Sequence, residues 1–74
     1  MSPRSESGFT IQLNGEPYTV DTDAHVAALI EKLGFKRGRV AVEVNYAVVP
    51  KAEWGNVILH PGDAVEVVNF VGGG

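Results

Sequence analysis

Apolar residues recur along this chain with two different periods, and the switch between them divides it into elements. Phe9, Ile11 and Leu13 alternate with Thr10 and Gln12, the two-residue period of a half-buried strand. Asn14-Gly15 follows, a strong hairpin signal because both residues tolerate positive φ. Residues 16–20 return as a second strand with Tyr18 and Val20 on one face. Pro17 has no N–H to give a neighbour, which predicts an edge position for this strand. The period then lengthens. Val26, Leu29, Ile30 and Leu33 fall at i, i+3, i+4 and i+7, one apolar stripe on a helix. Asp21, Thr22 and Asp23 offer N-caps for it, and Gly34 offers a left-handed C-cap. So short a helix needs a sheet to hold it.

The two-residue period resumes with Val40, Val42 and Val44, alternating with Ala41 and Glu43. Asn45-Tyr46 reads as a tight turn, although tyrosine suits it less well than glycine. Residues 47–49 form a short fourth strand that Pro50 ends. Trp54 falls in an irregular stretch and is expected to pack as a satellite of the core. Residues 57–59 make a brief extended piece, Pro61-Gly62-Asp63 a turn, and residues 64–70 the last strand. If Val65 and Val67 face the helix, then Glu66, Val68 and Phe70 face the other way.

Hairpin, helix, hairpin, short connection and strand together predict an α+β fold. One helix packs across one face of a mixed sheet of four to five strands. The helix lets the chain cross over, so the first and last strands can pair in parallel at the centre. That is a β-grasp, the ubiquitin-like architecture. The domain is expected to span residues 9–71, after a disordered leader over 1–8 and before a flexible tail over 72–74.

Composition narrows the function. The sequence has 74 residues, 45% of them hydrophobic, and no cysteine. One small domain is all this length allows, and it buries roughly 60% of its unfolded surface. A core is affordable; a deep catalytic cleft as well is not. The prior moves from a stand-alone enzyme to a carrier, modifier or binding module. Net charge is −3, and Lys36-Arg37-Gly38-Arg39 reads as a solvated loop, which argues against nucleic-acid binding. No stretch is long and apolar enough to span a membrane. The first eight residues contain no apolar signal segment, which favours a cytoplasmic location. His25 and His60 read as ordinary surface residues, with no ligands at metal-binding spacing. Asp21 and Asp23 read as helix-start charges, and no catalytic constellation is present.

The end of the chain stands out: Gly72-Gly73-Gly74 follows an apolar strand. A tail without side chains fits either of two readings. It is a frayed terminus, or it delivers its free carboxylate through a slot too narrow for side chains. Phe70 likewise either folds over the sheet edge and packs locally or joins Val68 in a partner-docking patch beside the tail.

From residue 9 to residue 74 the chain resembles the ThiS family, the sulfur carrier proteins of thiamine biosynthesis. The resemblance rests on the Asn14-Gly15-Glu16 turn, Leu33-Gly34 at the helix end, and the run Val40-Ala41-Val42-Glu43-Val44-Asn45. Val49-Pro50 with Trp54, Pro61-Gly62-Asp63 and the ending Phe70-Val71-Gly72-Gly73-Gly74 complete it. Two departures are local. His25 stands where the family commonly has Thr or Ser at the helix cap, with Asp23 or Thr22 expected to compensate. Tyr46 stands where glycine usually follows asparagine.

The resemblance implies a co-substrate rather than an enzyme. An E1-like adenylyltransferase (ThiF) would use ATP and Mg2+ to adenylate the Gly74 carboxylate. A cysteine persulfide donor system would then turn it into a thiocarboxylate, and thiazole synthase (ThiG) would take the sulfur for the thiazole ring of thiamine. Gly72 and Gly73 would thread the partner's slot, while Val71, Phe70 and Val68 help dock. The carrier itself would bind no cofactor and be a monomer when free. Two alternatives stay open: a carrier for another sulfur pathway, of the molybdopterin type, and a β-grasp interaction module with an unreactive tail.

Overall fold

The computed structural model describes residues 8–70. Five strands, β1 (Phe9–Leu13), β2 (Glu16–Val20), β3 (Val40–Val44), β4 (Ala47–Val48) and β5 (Ala64–Asn69), form one sheet in the order β2-β1-β5-β3-β4. Among the described residues the one α-helix, α1 (Val26–Leu33), lies between β2 and β3 in the chain. The strand β5 is central: it pairs in parallel with β1 and antiparallel with β3. Pro17 lies in β2, an edge strand, as its missing N–H requires. The fourth strand is one residue shorter than the sequence pattern suggests. Val49 lies beyond it, still donating to the Val42 carbonyl at 2.9 Å and turning its side chain into the core. The last strand is also one residue shorter, and Phe70 follows it.

The core is a single cluster. Val26, Leu29 and Ile30 from α1 meet Ile11, Val20, Val40, Val42, Val65 and Val67 from the sheet. Each of these strands contributes alternate residues to that face, and the helix contributes its stripe. This is why a helix too short to stand alone is held.

Two elements differ from the sequence-based expectation. Trp54 is no satellite: it is 1% exposed and is the largest of the fully buried side chains. Its indole N–H donates to the Val49 carbonyl at 3.0 Å, which removes the cost of burying that polar group. Topology explains the position. After the edge strand β4 the chain must return to the centre of the sheet, and it does so past the start of α1. There Trp54 and Val57 offer their carbonyls to Ala27 and Val26, at 3.0 and 3.1 Å.

The second difference is the helix cap. The side chain that caps α1 is His25 itself, whose Nδ1 accepts from the Ala28 N–H at 3.2 Å. Neither Asp23 nor Thr22 supplies the cap; Thr22 Oγ1 instead accepts from the Gly8 N–H at 2.9 Å. His25 is therefore a structural residue, because an unprotonated ring nitrogen accepts as a hydroxyl oxygen does. With the two carbonyls from the connection, the three leading N–H groups of α1 that lack an intrahelical partner, those of Val26, Ala27 and Ala28, are all satisfied. Gly34 closes the other end at φ 84°, the left-handed conformation that glycine adopts without penalty.

The turn between β3 and β4 is built as its sequence suggests, but under strain. Asn45 and Tyr46 both have positive φ, 53° and 73°. The Asn45 side chain donates to Asp63 Oδ1 at 3.1 Å and accepts from the Ala64 N–H at 2.9 Å, tying this turn to the one that leads into β5. Tyr46 makes no such bond and projects from the turn, 83% exposed.

Candidate functional site

The strand β5 carries the chain toward its glycine end, and its two faces differ. Val65 and Val67 point into the core, while Glu66, Val68 and, just beyond the strand, Phe70 are exposed. Val68 and Phe70 are 52% and 54% exposed. The register extends the exposed surface sideways. Ala41 lies opposite Val68, Glu43 opposite Glu66, and Val48 of β4 opposite Glu43. Val48 is itself 68% exposed. The open face is thus apolar toward the end of β5 and along β4, with two facing carboxylates between.

The backbone at the end of β5 is held firmly. Phe70 donates its N–H to the Arg39 carbonyl at 2.7 Å, extending the ladder one residue past β5. On the other flank, Asn14 reaches across to Val67: its Oδ1 accepts the Val67 N–H at 2.8 Å and its Nδ2 donates to the Val67 carbonyl at 3.4 Å. The sequence marks Asn14 only as a turn residue, and nothing in its local pattern signals a contact 53 residues away. Beside Phe70 lies a shallow hollow of about 260 Å³ lined by Gly34, Phe35, Lys36, Arg39, Asn69 and Phe70. A larger open hollow, about 530 Å³, lies between the end of β2 and α1 and shares no residue with the end of β5.

Among the described residues there is no group of His, Cys, Asp or Glu able to hold a metal ion. No buried side-chain nitrogen or oxygen among them lacks a partner, and no helix among them is long and apolar enough to cross a membrane. His60 lies 3.9 Å from Asp63, but Asp63 Oδ2 already accepts the His60 N–H at 2.9 Å, so the pair closes a turn. Val71, Gly72, Gly73 and Gly74 lie outside the described residues.

These features define the class: a β-grasp protein with one covered and one open sheet face. Residues 11–74 match the ThiS family, and the chain belongs to it. It is similar to a ThiS thiamine biosynthesis protein from Geobacter metallireducens, whose crystal structure superposes with a TM-score of 0.75 at 33% identity. That superposition covers 89% of this chain and all of that one. Among curated proteins it is 45% identical over 64 residues to a thiazole synthase of Magnetococcus marinus. The match covers 86% of this chain, which spans only 20% of that relative's length. It is also 37% identical over 68 residues to the uncharacterized protein ycf40 of Pyropia yezoensis, covering 92% of this chain and 96% of the relative.

Proposed function

We propose that this protein is a sulfur carrier of thiamine biosynthesis, with its Gly74 carboxylate as the carrying group. The observation that supports this most is the extent of the family match, which runs through residue 74 and so includes the glycine end.

A carboxylate at neutral pH is a poor electrophile. An E1-like adenylyltransferase (ThiF) using ATP and Mg2+ makes it reactive: a carboxylate oxygen attacks the α-phosphorus, pyrophosphate leaves, and the terminus becomes an acyl adenylate. A cysteine persulfide attacks the acyl carbon and AMP leaves. A thiol then cleaves the S–S bond, supplying the electron pair, and leaves the terminus as a thiocarboxylate. Thiazole synthase (ThiG) receives that sulfur. The chain needs no cysteine for this, because the sulfur is bonded to Gly74. Gly72 and Gly73 pass the slot that a side chain would block.

The exposed face of β5 supplies the docking surface. Val68 and Phe70 adjoin the root of the tail, with Ala41 and Val48 beside them on the sheet. A partner seated there has the tail directed at its active site. The thiazole synthase relative in which a domain like this chain makes up about a fifth of the length supports a working association between the two activities.

Incubation with the adenylyltransferase, MgATP and a persulfide donor, followed by intact-mass measurement, tests the reading. The expected result is replacement of one oxygen by sulfur, located at Gly74 by fragmentation. An unchanged mass, under conditions that convert another ThiS protein, means an interaction module with an unreactive tail.

A further inference from the structure

We propose that Asn14 is a positioning residue for the sulfur-loading step: its side-chain amide stands in for a missing strand and fixes the direction in which the tail leaves the fold. The inference rests on the carrier reading and adds a residue to it.

The strand β5 outruns its neighbour. β1 pairs with it only through Gln12–Ala64 and Leu13–Val65 and then turns away at Asn14-Gly15. On the opposite flank the ladder with β3 continues, bracketed by the Asn45 N–H to the Ala64 carbonyl and the Phe70 N–H to the Arg39 carbonyl. In an antiparallel pair the bonding direction alternates. Residues 64, 66, 68 and 70 therefore address β3, and residues 65, 67 and 69 address the β1 side. There Val65 is met by the Asn14 backbone N–H at 2.8 Å. Val67 has no strand opposite it, yet both its N–H and its carbonyl are engaged by the Asn14 amide, at 2.8 and 3.4 Å. A primary amide carries a carbonyl acceptor and an N–H donor side by side, as consecutive peptide groups do along a strand. The side chain thus adds one rung to the β1–β5 ladder after the strand has ended.

Among the described residues that rung is the last one on its flank, three residues before Phe70. Without it the end of β5 hangs on β3 alone and can swing away from the sheet edge, taking the tail with it. The Asn14 side chain bonds to Val67, so its effect on the reaction passes through that residue. Misplacement of a reacting group by about 1 Å costs as much as a hundredfold in rate, so a loosened root shows itself in turnover.

Two variants separate aiming from simple stabilisation. Asn14→Gly keeps the turn, because the backbone φ of 52° suits glycine, and removes the amide. Asn14→Asp keeps the acceptor for the Val67 N–H and loses the donor. Both are assayed with the adenylyltransferase and MgATP below their melting temperatures, with hydrogen exchange of the Val67 amide followed in parallel. The expected result for Asn14→Gly is faster Val67 exchange and a fall of about tenfold in kcat with KM for the carrier unchanged. Asn14→Asp is expected to fall between it and the wild type. If Asn14→Gly proves unfolded, a reduced kcat at wild-type KM in Asn14→Asp supports the proposal, and wild-type kinetics overturn it. Wild-type kcat in Asn14→Gly despite faster exchange also overturns it, as does a loss confined to KM; both leave the carrier reading intact. A wild-type protein that is not adenylated removes the carrier reading itself and this inference with it.

Discussion

Val67 and Val68 are adjacent in β5, yet the first is 7% exposed and the second 52%. The same contrast runs across the sheet. One face carries Ile11, Val42, Val65 and Val67 against α1 and Trp54; the other carries Ala41, Glu43, Glu66 and Val68 toward solvent. Both faces are made by the same strands, so the difference lies in what covers them. Burying an apolar side chain is favourable in proportion to the area removed from water. The covered face therefore holds the fold together. The open face keeps apolar area that folding has not used, and a partner can bury it. A central strand that serves both couples the stable part of the molecule directly to the open face.

The largest expected effect is on the covered face. Trp54→Ala removes its largest buried side chain and should cost about 3–5 kcal/mol. A single core in a domain this size supplies no more than about 3–5 kcal/mol in all. The variant should therefore be largely unfolded by circular dichroism at 25 °C. A cooperative melt near the wild-type temperature would show that the covered face is held by something else.

Phe70→Ala probes the open face and should have the opposite profile. Stability should change by no more than about 0.5 kcal/mol. Affinity for the adenylyltransferase, measured by calorimetry, should fall about tenfold, as for an interface residue worth more than about 1 kcal/mol. A destabilised protein with unchanged affinity would place Phe70 in the fold and not in the interface.

Tyr46→Gly sharpens the contrast from a third direction. The side chain is exposed and its backbone is left-handed, so glycine relieves strain of about 1 kcal/mol. The melting temperature should rise by about 4–8 °C. An unchanged or lower value would mean that Tyr46 makes a stabilising contact in solution.

The smallest effect concerns Glu43 and Glu66, directly opposed on the open face. Like charges in that position are destabilising by about 0.2–1 kcal/mol. Glu66→Gln should raise the melting temperature at low ionic strength, and the gain should shrink as salt screens the pair. A gain independent of salt would point to packing and not charge.

The alternation in β1, β3 and β5, the helical stripe and the Asn14-Gly15 turn made the architecture legible in sequence, down to the parallel pairing of the first and last strands. These signals are local, or follow from element order. What escaped was made by contacts distant in sequence or by atypical donors and acceptors. Trp54 sits in a stretch with no period, and its burial depends on where the connection crosses α1. His25 caps the helix through a ring nitrogen, where the reading sought a hydroxyl or carboxylate. The φ of Asn14 was readable, but its hold on Val67 was not, because no pattern within a segment reports a bond to the far end of the chain. For the candidate site, the outward direction of Val68 was legible from the two-residue period. The lateral extension of the open face to Ala41 and Val48 needed the register between strands.

The most direct test of the account removes Gly74 and leaves the rest of the chain unchanged. The shortened protein should melt as the wild type does. In a reconstituted system with the adenylyltransferase, persulfide donor and thiazole synthase, it should form no thiazole. Thiazole formation at the wild-type rate by the protein lacking Gly74 would contradict the claim that the terminal glycine carries the sulfur.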